Sequence, residues 1–265
     1  MNTRIAFRAG QTFRAGDLGE ISYYNSSPLR RSISVVIPAY NEEERLPATL
    51  EVVAAYLARG RWEFSEVVVV NDGSRDGTAE AARRAGARVL ENPGNRGKGY
   101  AVRHGMLKAE GDWVLFSDAD LSAPIEDLDI LWAAAEREKA QVAIGSRALD
   151  RSLVGVHQPW LRETMGRVFN LAMRIATGLP FHDTQCGFKL FEKSAAREIF
   201  KRQLLDGFGF DVEVLYIAKH LGYRSLEVPV HWNNVEGTKV SLWRGMAAFL
   251  DPLTVRWNGI LGKYR

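Results

Sequence analysis

The sequence predicts an α/β protein built on a mainly parallel central sheet, and three observations carry that prediction. Two β-branched runs, Ile33–Ile37 (ISVVI) and Val67–Val70 (VVVV), are apolar throughout, as strands covered on both faces are. Helix-forming segments separate these and later strand-like runs at the spacing of βαβ units. The polar clusters of the first half each fall just past the end of a predicted strand, where open α/β sheets bind their ligands.

The elements follow in order. The first strand is stopped by Pro38, and Ala48–Arg59 then reads as a helix, with Pro47 tolerated in its first turn and Gly60 closing it. The second strand is stopped by Asn71-Asp72-Gly73, residues that turns prefer. Thr78–Ala85 is expected as helix, Arg88–Leu90 as strand, Gly99–Ala109 as helix, Trp113–Ser117 as strand, Leu128–Lys139 as helix and Val142–Gly145 as strand. After Arg147 the alternation gives way to a loop, a helix around Leu161–Thr177, a polar motif at Asp183–Lys189, a helix at Asp211–His220 and a strand-like Ser225–Trp232. The organisation is therefore an N-terminal extension over residues 1–31, one domain over 32–240 and a tail over 241–265.

In that tail, Leu242, Met246, Phe249, Leu253, Trp257, Ile260, Leu261 and Tyr264 recur at three- and four-residue steps beside Arg244, Arg256, Lys263 and Arg265. Pro252 is expected to split the segment in two. A basic, Trp-containing amphipathic segment suits the interface of a membrane.

Composition excludes several classes. Of the 265 residues 46% are apolar and 25% charged, the balance of an ordinary globular domain. No apolar run approaches the roughly 18 residues a spanning helix needs. A net charge of +3 without a dense basic patch mid-chain argues against nucleic acid as a partner. Met1–Ser32 mixes Arg, Gly and Ser with no apolar core, so no signal peptide is expected. Cys186 is alone and can form no internal disulfide, which fits a reducing compartment and places the chain in the cytoplasm or against the cytoplasmic face of a membrane.

The sharpest chemical signal is Asp118-Ala119-Asp120, directly after the apolar WVLF. Two carboxylates two residues apart beyond a strand end can place one acid on a hard cation and the other on a ribose or a second metal position. Mg²⁺ or Mn²⁺ in such a place can neutralise the charge that grows on a departing nucleoside diphosphate. Gly94–Gly99 (GNRGKG) fits neither the dinucleotide fingerprint nor the P-loop, which disfavours a dehydrogenase or a P-loop NTPase.

Taken together, IPAYNEEERL, VVVVNDGSRDGT, NRGKGYAVRHGM, FSDADL and GSRA resemble the nucleotide-binding half of family 2 glycosyltransferases of GT-A fold, over roughly Ser32–Val240. DTQCGFKLF, FDVEVLYIA and EVPVHWNNVEGTKVS are similar to a narrower branch, the dolichyl-phosphate β-glucosyltransferases and related polyprenyl-phosphate glycosyltransferases. The resemblance implies that residues 32–240 are a GT-A catalytic domain, with Pro38, Tyr40, Glu42 and Lys98 among its nucleotide-binding residues. It further implies that Asp72 accepts from the base, N3–H of uracil, that Asp118 touches ribose or metal, and that Asp120 ligates the metal. Arg147 and Arg162 would hold the acceptor phosphate, with Lys189 and Lys239 as further phosphate contacts. Asp211, with Glu213 beside it, stands where other members keep an acceptor-side acid, and would be the base if the acceptor were a hydroxyl. The implied reaction is inverting transfer of a sugar from a UDP-sugar, UDP-glucose foremost, to a polyprenyl phosphate. A soluble hydroxyl acceptor and a non-catalytic sugar-nucleotide binder are the competing readings. Ser122 replaces a Gln that related mannosyltransferases use on the metal, and Gly166 a Ser, so a mannosyl reading is weakened.

Overall fold

A computed structural model describes residues 31–60, 62–155, 171, 173–233 and 251–265. Its strands are β1 (Ser32–Ala39), β2 (Phe64–Asn71), β3 (Arg88–Glu91), β4 (Trp113–Ser117), β5 (Val142–Ser146), β6 (Phe188–Glu192) and β7 (Ser225–Pro229). Its helices are α1 (Leu46–Arg59), α2 (Thr78–Arg84), α3 (Lys98–Lys108), α4 (Leu128–Glu138), α5 (Lys193–Arg202), α6 (Phe210–His220) and α7 (Asp251–Ile260). All seven strands form one sheet in the order β3-β2-β1-β4-β6-β5-β7.

The β-branched runs are buried on both faces because the pleat sends alternate side chains to opposite layers. Val35, Ile37, Val69 and Leu115 pack with Leu46, Leu50 and Val53 of α1 and Leu131 and Trp132 of α4. Val36, Val68, Val70, Val114 and Phe116 pack with Val102 and Met106 of α3, Ile199 of α5 and Phe210 and Leu215 of α6.

Every pairing is parallel except those of β6, which runs antiparallel to both β4 and β5. The carboxyl ends of the six other strands therefore share one edge of the sheet. Because Phe188 pairs with Ser117, the turn that precedes β6 arrives at that same edge. Neither β6 nor α5 was expected: FKLFE carries a lysine as its second residue, and that lysine is fully buried in the strand. The last expected strand, Ser225–Trp232, ends at Pro229, beyond which Trp232 makes an isolated bridge to Val154.

Candidate active site

The loops after β1 and β2 are stitched together by their polar residues. Asn41 adopts a left-handed φ of 54°, its amide donates to Ser74 Oγ at 2.9 Å, and its side-chain oxygen accepts from the Arg75 amide at 2.9 Å. The Glu42 amide donates to Thr78 Oγ1 at 2.8 Å. Pro38, Tyr40 and Glu42 are half-buried along this seam.

Asp72, at the end of β2, is buried, and its carboxylate organises the next loop. It accepts from Asn92 Nδ2 at 2.8 Å, from the Arg96 amide at 3.0 Å and from the Gly97 amide at 2.8 Å. Gly97 has φ of +106°, and a Cβ there would lie 2.4 Å from the Asp206 carbonyl oxygen, so this turn requires glycine. The segment around Asp206 braces the start of α3, with its carbonyl accepting from the Tyr100 amide at 3.2 Å and Gln203 donating to the Gly99 carbonyl at 2.9 Å.

The braced turn aims Lys98, the first residue of α3, at Asp118: its Nζ lies 2.7 Å from Asp118 Oδ1. Burial acts to lower the ammonium's pKa, but the carboxylates of Asp118, Asp211 and Asp120 outweigh it and hold the pKa above the ordinary lysine range. The Asp118 amide donates to the Gly187 carbonyl at 3.0 Å, and a Cβ on Gly187 would sit 2.0 Å from Asp118 Oδ2. Asp120 Oδ1 accepts from the Ser122 amide at 3.0 Å, and Leu121 takes a left-handed φ of 46° between them.

Behind this pair lies a second one. Lys189, on β6, is 0% exposed, and its Nζ donates to the Cys186 carbonyl at 2.6 Å and to Asp211 Oδ1. Lys189 differs from its expected role. Lys189 is enclosed and its ammonium already engaged, so it does not face an acceptor phosphate. Asp211 is buried, and its carboxylate accepts from Lys189. Burial raises the Asp211 pKa, against the pull of Lys189 and Lys98. Glu213 is also enclosed, accepting from the Leu204 and Leu205 amides and from the Tyr264 hydroxyl.

Arg147, just past β5, is locked by a residue to which the sequence reading gave no role. Its Nε and Nη2 donate to the two oxygens of Asp183 at 2.6 and 2.8 Å, and its guanidinium lies 4.7 Å from the Trp232 ring centre. Burial would raise the Asp183 pKa, yet the guanidinium keeps it below the usual carboxylate value. Glu227 of β7 in turn accepts from the His182 and Asp183 amides. The signals for these partners were in the sequence, in the acid and glycine of DTQCGFKLF and in the glutamate of EVPVHW, but their meaning depended on the unforeseen β6. Cys186 is buried and its thiol pKa is pushed up to about 12, which keeps it protonated. Arg162 and Lys239 lie outside the described residues.

Among the described residues no three side chains of His, Cys, Asp or Glu converge as metal ligands. Asp118 and Asp120 fit a hard divalent cation that takes its other ligands from phosphate oxygens and water, the habit of Mg²⁺.

The chain is similar to known proteins in sequence and in fold. The family described as Glycosyl transferase family 2 matches residues 34–200. A dolichyl-phosphate beta-glucosyltransferase of Drosophila melanogaster is 38% identical over 253 residues, covering 88% of this chain and 77% of that protein. The Homo sapiens protein of the same name is 33% identical over 253 residues, covering 89% and 78%. Among solved structures, glucosyl-3-phosphoglycerate synthase from Mycobacterium tuberculosis in complex with Mn²⁺ and UDP-Glc superposes with a TM-score of 0.63 at 21% identity, over 88% of this chain and 79% of that one. Mannosyl-3-phosphoglycerate synthase from Rubrobacter xylanophilus gives 0.65 at 19% identity, over 88% and 75%. The fold held in common is GT-A, as the sequence motifs led us to expect.

Proposed function

This chain belongs to glycosyl transferase family 2 and is a glycosyltransferase; from that premise we propose that it transfers glucose from UDP-glucose to a polyprenyl phosphate with inversion. The observation that carries the reading is the pairing, at one sheet edge, of an Asp118-Asp120 donor end with an Arg147 fork held by Asp183. The names of the relatives, dolichyl-phosphate beta-glucosyltransferases, support the glucose and the lipid phosphate.

Pro38, Tyr40 and Glu42 line the nucleoside. Asp72 already receives three donors, which leaves about one of its roughly four acceptor positions for uracil N3–H. Asp118 and Asp120 would hold Mg²⁺ or Mn²⁺, which when bound supplies positive charge to the departing diphosphate. Lys98 adds a second positive group to that leaving group. Arg147 orients the acceptor phosphate with the edge of its guanidinium not spent on Asp183, and Arg162 is its proposed companion. A phosphate monoester is anionic at pH 7, so its attack needs no strong base. The enclosure of Asp211 suits that chemistry better than it suits a hydroxyl acceptor.

No helix among the described residues is long and apolar enough to cross a membrane. The proposed route to a lipid acceptor is α7 with the turn after it, where Leu253, Trp257, Ile260 and Leu261 face outward, Trp257 being 61% exposed. The expected stripe is corrected at one end: Tyr264 is 0% exposed and bonds Glu213 at 2.8 Å, so it anchors the tail to the core. Pro252 stands in the first turn of α7, and Leu242, Met246 and Phe249 lie outside the described residues. We place the enzyme peripherally, on the cytoplasmic face. The test is to offer radiolabelled UDP-glucose with dolichyl or undecaprenyl phosphate together with 3-phosphoglycerate and extract with organic solvent. Label in the organic phase is expected; label retained on 3-phosphoglycerate in water instead would overturn the lipid acceptor.

A further inference from the structure

Three acids and two lysines share the site's interior, and only one of the lysines is free to leave. Lys189 is fully enclosed and held by both the Cys186 carbonyl and Asp211. Lys98 is different. Its side chain is 23% exposed, and its ammonium sits 2.7 Å from Asp118 Oδ1, between the rings of Phe116 at 5.4 Å and Phe208 at 5.9 Å. A four-carbon stem and a point charge let a lysine change partners without moving the backbone.

We propose that Lys98 is the resident counter-ion of Asp118, which it surrenders when a divalent cation arrives together with a diphosphate, so that the cation alone is held weakly. The inference rests on the donor-site reading above. An ammonium and a divalent cation compete for one carboxylate, because each repels the other at contact distance. A diphosphate relieves the conflict by offering Lys98 a new anion. The coupling is reciprocal: whatever factor the diphosphate adds to cation affinity, the cation adds to diphosphate affinity. In the donor-free state the same contact balances Asp118 beside Asp120, as Lys189 balances Asp211.

Equilibrium dialysis of Mn²⁺ against the full chain, read by electron paramagnetic resonance, tests this without turnover. Without nucleotide, Lys98→Met should bind Mn²⁺ on the order of 10-fold tighter than the wild type, within the usual range of coupling factors. Lys98→Arg, which keeps the charge, should stay near the wild type. With UDP present, the gain in Mn²⁺ affinity should be smaller in Lys98→Met than in the wild type. Lys98→Gln provides the same comparison should Lys98→Met fail to fold. A folded neutral variant that binds Mn²⁺ alone no tighter than the wild type overturns the exchange. If UDP and wild-type protein together hold no more Mn²⁺ than UDP and Asp120→Asn, the donor-site reading itself falls, which is a separate outcome.

Discussion

Asp120 presents one carboxylate oxygen to the Ser122 amide and keeps the other for a ligand, so replacing it by an amide of the same shape tests charge alone. Asp120→Asn should retain the wild-type melting temperature and lose transfer on the order of 100-fold or more, since metal-assisted charge stabilisation is worth several kcal/mol. Wild-type turnover would remove the cation from the mechanism. Asp183 makes a different kind of prediction. Its folded pKa lies below the ordinary value of 3.8, so its contribution to stability is complete above that value and is lost as pH falls through the depressed one. Asp183→Asn should therefore flatten the acid limb of the stability profile below about pH 4. Loss of the buried partner should cost about 3 kcal/mol. It should also raise KM for polyprenyl phosphate while UDP affinity holds, because Asp183 acts through Arg147. A parallel loss of UDP affinity, read by calorimetry, would place Arg147 on the donor instead. Asp118 and Asp120 were legible from their spacing after a strand. Asp183 and Asn92 were not, since what matters about them is a partner distant in sequence.

Strands and helices show the same division. The runs of β1 and β2 announce themselves because burial on both faces demands unbroken apolar residues, and the helices between them follow from propensity and stop signals. β6 hides because its sequence, FKLFE, has a buried lysine where a strand pattern wants an apolar residue, and the lysine is tolerated only through Asp211 on a separate helix. The turn before β6 is set by Gly187, whose missing side chain lets Asp118 approach. Gly187→Ala would put a Cβ 2.0 Å from Asp118 Oδ2 and 2.4 Å from its Cγ, so the Asp118 carboxylate must swing aside. It should lower the melting temperature, by an amount matching roughly 1–3 kcal/mol for overpacking, and reduce kcat more than ten-fold through displacement of Asp118. An alanine variant with native kcat would show that the approach of β6 to Asp118 is incidental.

On the scale of the whole molecule, the sheet edge that gathers the site and the helix that faces outward belong to one connected body. Tyr264 ties α7 to Glu213, and Glu213 ties α6 to the segment that braces Lys98. The full chain should co-sediment with anionic vesicles at low salt and be released at high salt, each basic residue near the surface adding about 1 kcal/mol. Trp257→Ser combined with Leu261→Ser should abolish that sedimentation and leave UDP binding intact; equal sedimentation would exclude the α7 face as the contact. The inward turn of Tyr264 after α7 was illegible beforehand, because a helical stripe of Leu, Trp, Ile and Tyr reads alike whether it meets lipid or core. The threading of β6 also reaches beyond the mature enzyme, to the order in which it is made. β5 has no partner in the first half of the chain, since both strands it pairs with, β6 and β7, follow it in sequence. While the ribosome is still completing the second half, the residues of β5 must wait unpaired, their apolar faces open to wrong partners. Synthesis therefore passes through a stage in which the donor half is largely assembled and the Arg147 strand is not, and aggregation or chaperone capture should concentrate at chain lengths that end between β5 and β6.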